Sequence, residues 1–185
     1  MAKAKHKQQW HTCRKGDDDM TTQVAMTPSI TKPASISVST EMIHVDRTLR
    51  PTYPDWMAED GVQHPELELT GPAEFDVANL EQWIHPEQVN GWTTGQVIYD
   101  HLKANNMLAD CLGLADLLAI QAKGLDFFHK YFDGKSPFGW KGAVRHRYGP
   151  LFVPFLFELA GEVVLYWRWL DGLWSADGPA LRFAK

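Results

Sequence analysis

The sequence predicts an α+β fold in which helices precede an antiparallel sheet. Helical spacing of apolar residues dominates residues 70–132, and strand-like alternation dominates residues 151–183. The two patterns do not alternate along the chain as they do in parallel βαβ proteins. We therefore expect residues 41–185 to form a single α+β domain, with about three helices followed by a C-terminal antiparallel meander of three to four strands.

The densest apolar and aromatic stretch, residues 151–174, predicts the centre of that sheet. Two apolar runs, 151–157 and 163–170, flank a short connection that contains Gly161. Glycine adopts the positive φ that a tight antiparallel turn requires, so the runs are expected to form a hairpin. Alternation within the second run assigns one face to the core, and this face comprises Val163, Leu165, Trp167 and Trp169.

A second turn signal follows the hairpin. Asp171 and Gly172 form one of the dipeptides that favour a two-residue turn, so the chain is expected to reverse again into Leu173 and Trp174. A last strand is expected at residues 180–183. A strand is also expected before the hairpin, at residues 138–148.

Three segments predict helices. Residues 70–84 begin with a capping threonine and a proline and carry apolar residues at helical spacing. Residues 94–105 also carry apolar residues at helical spacing. Residues 114–132 form the longest pattern, in which Gly124 either tolerates a close neighbour or divides the helix in two.

Composition sets the broad class of protein. Residues 1–40 are lysine-rich, then rich in serine and threonine, and are predicted to be a disordered tail. No apolar run approaches the roughly 20 residues that cross a bilayer, so no membrane partner is expected. Only Cys13 and Cys111 are present, which excludes a disulfide framework and a four-cysteine zinc site. A cytoplasmic location and no cofactor are expected.

Histidine and carboxylate pairs provide one functional hypothesis. His-Pro-Glu occurs at His64–Glu66 and again at His85–Glu87, and these four residues are candidate metal ligands or acid–base groups. Asp100 and His101, which are adjacent, would extend such a site. Together these residues would form the active site of a metal- or histidine/carboxylate-dependent hydrolase. The alternative is that proline and glutamate simply mark turns and helix starts.

The absence of other catalytic patterns favours a binding module over an enzyme. The sequence has no nucleophile elbow and no phosphate-cradling glycine loop. A purely structural or protein–protein interaction domain is a further alternative.

Basic and aromatic residues interleave between the helices and the hairpin. Residues 41–122 carry 3 basic and 14 acidic side chains, whereas residues 123–150 carry 6 basic and 2 acidic ones, in a chain of net charge −5. A strand here would display a basic row suited to phosphate contact and base stacking. The candidate binding residues are Lys135, Trp140, Lys141, Arg145, Arg147 and Tyr148.

Two interpretations of this row remain open. It can bind nucleic acid or an acidic protein, or it can be the solvated face of an edge strand, where charges deter aggregation.

Three blocks of sequence resemble a known group of proteins. The blocks HPELELTGPAEFD, LEQWIH and FGWKGAVRHR resemble segments of uncharacterised bacterial and phage-associated hypothetical proteins, over most of residues 47–183. The resemblance implies a prokaryotic or phage origin. It implies no activity and identifies no catalytic residue.

Overall fold

The computed structural model describes residues 41–184, and the predicted disordered tail, residues 1–40, lies outside them. The described part is an α+β structure with four helices and mostly antiparallel strands. The helices are α1 (Pro86–Val89), α2 (Gly95–Ala104), α3 (Leu114–Gln121) and α4 (Leu125–Phe132). The strands are β1 (Met42–His44), β2 (Met57–Val62), β3 (Glu74–Asp76), β4 (Leu80–Trp83), β5 (Thr93–Thr94), β6 (Val144–His146), β7 (Leu151–Leu159), β8 (Glu162–Trp169), β9 (Leu173–Trp174) and β10 (Ala180–Phe183).

The predicted hairpin is the centre of the largest sheet. This sheet has the strand order β2-β6-β7-β8, and its neighbouring strands are antiparallel. β7 and β8 pair continuously from Phe152 opposite Trp169 to Leu159 opposite Glu162. Gly161 has a φ of 83°, which confirms the predicted turn. β6, β7 and β8 therefore form a three-stranded meander.

The chain leaves the meander after β8. Asp171 and Gly172 do reverse it, but β9 pairs with β5 and β10 pairs with β4. The Trp174 ring lies 4.2 Å from the Phe138 ring and 5.0 Å from the Trp140 ring, between centroids. Burial of this indole draws β9 into the core. The turn signal at Asp171 and Gly172 specifies that the chain reverses, but it does not specify the strand with which the chain then pairs.

The predicted helix over residues 70–84 is wrong. β3, a short 3-10 turn at Val77–Asn79 and β4 occupy this segment. The Asp76 carboxylate caps the turn by accepting a hydrogen bond from the Ala78 N–H. Strand pairing overrides the helical spacing, because β3 pairs with β1 and β4 pairs with β10.

The other two predicted helical segments are confirmed. α2 matches the predicted segment, and the Thr94 hydroxyl caps it by accepting a hydrogen bond from the Val97 N–H. The predicted long helix is divided into α3 and α4 at Gly124, whose φ is 83°.

Two hydrophobic clusters hold these elements together. In the first, α3 and α4 pack against β7 and β8 around Leu117, Phe128 and Leu156. In the second, α2 and the Trp140 and Trp174 rings pack around Val153. Val153 and Leu156 project from opposite faces of β7, so the central strand is buried on both sides.

The face assigned to the core in β8 is only half covered. Val163 and Leu165 pack against the first cluster, as predicted. Trp167 is half-buried, but Trp169 is 47% exposed, so its predicted burial is wrong. The predicted alternation of the β8 side chains between the two faces of the sheet is correct. The helices cover only one end of the strand, and alternation does not reveal where that cover stops.

A buried carboxylate joins distant parts of the chain. Asp116 is fully buried in the first turn of α3, and its Oδ1 lies 2.5 Å from the Arg47 Nη2. Its other oxygen accepts a hydrogen bond from the Gly113 N–H at 2.7 Å. Nearby, the buried Lys141 Nζ donates to the Thr70 carbonyl oxygen at 2.8 Å. Burial lowers the pKa of Lys141, and the charge of Asp116 opposes that effect.

Truncation of individual tryptophans tests the core. Trp140 is fully buried, so Trp140→Ala is expected to lower the free energy of unfolding by about 3–5 kcal/mol. Trp169→Ala is expected to cost about 1 kcal/mol, since half of the side chain already meets water. Denaturant unfolding measures both. Trp92→Ala is the matched control, at 63% exposure, and equal costs for all three would contradict the assigned core.

Removal of the buried carboxylate tests the ionic network. Asp116→Ala leaves the Arg47 guanidinium and the Gly113 N–H without this acceptor and is expected to cost about 3–5 kcal/mol. Asp60→Ala, which removes an exposed carboxylate from β2, is expected to change stability by less than about 0.5 kcal/mol. Denaturant midpoints that fall equally in the two variants would contradict a special role for Asp116.

Candidate binding site

The predicted basic row does not exist as one strand. Trp140 and Lys141 lie in a 3-10 turn, Trp140–Gly142, and both are buried; Lys141 is 1% exposed. Glycines 139 and 142 let this turn pack closely, since a Cβ on Gly142 would lie 2.9 Å from the Leu114 nitrogen. Lys141 and Trp140 are therefore unavailable for phosphate contact or stacking in this structure.

Lys135 also lies away from the other candidates. Its Nζ donates a hydrogen bond to the Gln82 Oε1 at 2.7 Å. It lines a pocket with Phe157 and Glu158, at the opposite end of β7 from the Phe152 end.

The remaining candidates, Arg145, Arg147 and Tyr148, cluster where β6 turns into β7. The Arg147 guanidinium donates to the backbone oxygens of Asp55 and Trp56. Neither arginine pairs with a carboxylate among residues 41–184. Tyr148 is 83% exposed.

Arg145 is anchored locally while keeping spare donors. It donates to the Gly149 oxygen at 2.9 Å and to the Gln63 Oε1 at 3.2 Å. A guanidinium has five N–H donors, so several remain for a ligand.

An aromatic recess of about 200 Å³ lies at this end of the sheet, on the face that carries His146 and Phe152. Arg145 pairs with Leu151 and therefore projects from the opposite face. Its lining consists of Trp56, His146, Phe152, Tyr166 and Trp167. The Trp56 ring stacks on the His146 ring at 5.2 Å, meets the Trp167 ring edge-on at 5.6 Å and tilts against the Phe152 ring at 5.1 Å. This aromatic recess thus exposes several π surfaces in one concavity.

The recess also carries polar hydrogens. The Tyr148 backbone N–H donates to the His146 Nδ1, which places the proton of the neutral imidazole on Nε2. The indole N–H groups of Trp56 and Trp167 make no hydrogen bond within the described residues. These N–H groups are available as donors to a polar, planar ligand.

Strand register assembles this site from segments that sequence reasoning did not connect. The pairing of Phe152 with Trp169 and of Pro154 with Trp167 puts three aromatic side chains on one face. Trp56 arrives from the segment that leads into β2. The available signal is the repeated aromatic content of the hairpin, of which the alternation assigns Trp167 and Trp169 to the core.

The first histidine pair forms a local network. The His64 Nδ1 lies 3.5 Å from the Glu66 Oε1, and its Nε2 lies 2.6 Å from the Tyr99 hydroxyl. Burial lowers the pKa of His64 and raises that of Tyr99 to about 12. Both imidazole nitrogens have partners, so the ring ties the loop after β2 to α2.

The second histidine pair caps a helix. The His85 Nδ1 accepts a hydrogen bond from the Glu87 N–H and caps α1. The Glu87 carboxylate accepts one from the Thr93 hydroxyl at 2.5 Å. The His85 ring meets the His101 ring edge-on at 4.8 Å. Burial and the charge of His101 lower the pKa of His85.

These groups do not assemble a metal centre in the described part of the chain. No three histidine, cysteine, aspartate or glutamate side chains among residues 41–184 converge so that they could hold a metal ion. The predicted ligands His64, Glu66, His85 and Glu87 act instead in the two local networks. The metal-dependent hypothesis for these four residues therefore has no ligand set.

Comparisons with known proteins add no family to these observations. The chain matched no protein-family model, no curated protein and no solved structure. No helix within residues 41–184 is long and apolar enough to span a membrane.

The partly buried His64 and the buried His85 predict a loss of stability in mild acid. His64 and His85 have pKa values below the usual 6.5 in the folded protein, so the unfolded chain takes up protons first as the pH falls. Their contribution is fully present above about pH 6.5 and is lost below it. The melting temperature is expected to fall between about pH 7 and pH 5, and less so in a His64→Gln, His85→Asn variant.

His129 supplies the matched control for the direction in which stability changes with pH. Its hydrogen bond to Glu158 raises its pKa, so this exposed histidine favours the folded state at low pH. His129→Gln should make the acid loss steeper, not shallower. A wild-type melting temperature that stays constant or rises toward pH 5 would contradict the assignment of His64 and His85.

Proposed function

We propose that this protein is a non-enzymatic binding module that holds a short stretch of single-stranded nucleic acid at the aromatic recess. The observation that carries the proposal is the combination of two arginines without carboxylate partners and a cluster of accessible aromatic rings. Guanidinium groups bind phosphate, and aromatic faces stack on bases.

The aromatic side chains supply most of the expected affinity. Stacking of one base on an aromatic side chain contributes about 1–3 kcal/mol by alanine substitution. Tyr148 and Trp169 are the accessible rings beside the recess, and exposing them to water is unfavourable unless a ligand covers them. The recess has room for a single planar ring, which favours unpaired bases over a stacked duplex.

The charges limit the length of strand that can bind. Arg147 at the turn and Arg145 on the opposite face of the sheet offer two phosphate contacts to a strand that passes around the turn, which implies a salt dependence with a slope of about −1.4. β2 places the exposed carboxylates of Glu59 and Asp60 in the same sheet. These carboxylates repel further phosphates, so a short contact of one or two nucleotides fits better than a long track.

The proposal extends to the setting of the protein. We place this function in the cytoplasm of a prokaryotic or phage-infected cell. The sequence resemblance supports the origin. Burial raises the pKa of the Cys111 thiol to about 12, which suits an inert structural thiol. An acidic protein that uses the same arginines is the competing partner, and binding experiments separate the two.

A titration with short single-stranded oligonucleotides tests the proposal. Tyr148→Ala and Trp169→Ala are each expected to raise the Kd about tenfold, because each removes one stacking surface. Arg145→Ala is expected to weaken binding and to reduce the salt slope by about 0.7. Arg147 is a poorer target, since its loss would also release the backbone next to Trp56.

Lys135→Ala is the matched control. It removes a positive charge at the far end of β7 and is expected to leave the Kd within about twofold. Equal losses for Lys135→Ala and Arg145→Ala would indicate nonspecific attraction and contradict the proposed site. An absence of oligonucleotide binding, with retained binding of an acidic polypeptide, would replace nucleic acid by a protein partner.

A further inference from the structure

β8 is an edge strand of the main sheet. Among the described residues it pairs with β7 on one side and with no strand on the other. An edge strand presents alternate backbone N–H and C=O groups that can pair with another strand.

The hairpin geometry identifies which backbone groups of β8 point outward. The turn residues Ala160 and Gly161 both have positive φ, so the closing pair of Leu159 and Glu162 is hydrogen-bonded. The Leu170 N–H donates to the Leu151 oxygen at the other end of the ladder. Even-numbered residues of β8 therefore bond to β7, and odd-numbered residues face outward.

The centre of this outward row has no partner. The Val163 oxygen accepts a hydrogen bond from the Gln121 side chain, and the Trp169 oxygen accepts one from the Gly172 N–H. The backbone groups of Leu165 and Trp167 make no outward hydrogen bond within the part of the chain that the structure describes.

The opposite edge of the sheet is protected, whereas β8 is not. β2 carries Glu59 and Asp60 and has an irregular register between Met57 and Val62, and both features deter edge pairing. β8 has a continuous ladder with β7 and no bulge, proline or lysine. Tyr166, in its middle, is 60% exposed.

We propose that β8 pairs antiparallel with β8 of a second copy of this chain, about a twofold axis at Leu165. This register places Glu162 of each copy directly opposite Arg168 of the other. It also places Val164 opposite Tyr166, which is a favourable β-branched and aromatic pair. Neither Glu162 nor Arg168 has a carboxylate or cationic ion-pair partner among the described residues. The Arg168 guanidinium donates to the Leu173 oxygen at 2.5 Å and lies over the Trp174 ring, and its remaining N–H donors would face Glu162 of the second copy.

Other symmetric registers fit the side chains less well. An axis at Tyr166 would place Arg168 opposite Val164 and Glu162 opposite Leu170. An axis at Trp167 would place Arg168 opposite Tyr166 and leave Glu162 beyond the end of the pairing. The Leu165 axis is the one of these three that matches opposite charges, at two symmetric positions.

The resulting dimer has one continuous sheet of eight strands, β2-β6-β7-β8 from each copy. It needs no rearrangement of the backbone, because the outward groups already have strand geometry. The Gln121 side chain must release or share the Val163 oxygen, which this register places opposite Trp167 of the second copy. The aromatic recess borders this edge through Tyr166 and Trp167, so two recesses would share the sheet. The dimer does not depend on the identity of the ligand that the recess binds.

Sedimentation velocity over a wide range of protein concentration tests this pairing. The full chain is expected to shift from 21.0 kDa to twice that mass as its concentration rises. Glu162→Lys places two positive charges opposite each other at both ends and is expected to raise the dimer Kd at least about tenfold. Glu59→Lys, the same change on the protected β2 edge, is expected to have no effect.

A mixing experiment tests the register. Glu162→Lys chains and Arg168→Glu chains should each dimerise poorly alone, whereas their mixture should form a heterodimer with opposite charges at both ends. Circular dichroism confirms that each variant is folded, and amide exchange at Leu165 should slow as wild-type dimer forms. A monomeric wild-type chain at every concentration, or a dimer that is indifferent to Glu162→Lys, would overturn the proposal.

Discussion

The buried carboxylate of Asp116 is the constraint on which the candidate site depends. It binds the Arg47 guanidinium and the Gly113 N–H, and so joins the segment after β1 to the start of α3. The turn that contains Lys141 packs on this start, with the Lys141 N–H donating to the Leu112 oxygen. β6 begins two residues after that turn, so the position of Arg145 follows from a charge pair in the core.

The second constraint is that β7 is covered unequally along its length. Helices α3 and α4 cover one end of one face, and the cluster around Trp140 and Trp174 covers the other face. At the Phe152 end, no helix among residues 41–184 covers the first face, and the segment that carries Trp56 lies there instead. Aromatic side chains that would otherwise be core therefore line an open recess. The same arrangement leaves β8 as an uncovered edge.

Local signals predicted the elements that depend on neighbouring residues. The turn at Gly161 and the start of α2 at Thr94 are each determined within a few residues, and the sequence predicted both positions. For Gly124 the sequence left two possibilities open, a close neighbour or a divided helix, and the structure has the divided helix. Residues 70–84 were misassigned because their apolar spacing fits both a helix and two short strands around a turn. Their strand partners, β1 and β10, are distant in the sequence. Lys141 was misplaced because a lysine is usually exposed, and its compensation comes from the distant Thr70 carbonyl.

About half of the candidate site could be predicted from the sequence. Arg145, Arg147 and Tyr148 are consecutive or nearly so, and their composition identified them. Trp56, Phe152 and Trp167 belong to three separate strands or segments, and only the strand register brings their rings together. The register of a sheet is a long-range property, so the recess could not be predicted from periodicity alone.

Chemical-shift mapping of the indole N–H signals tests the central claim most directly. Titration of a short single-stranded oligonucleotide into labelled protein should shift the signals of Trp56, Trp167 and Trp169. The signals of Trp140 and Trp174, whose indole nitrogens are buried, should stay in place. Shifts confined to Trp92, or equal shifts of all the indole signals, would contradict a nucleic-acid site at the aromatic recess.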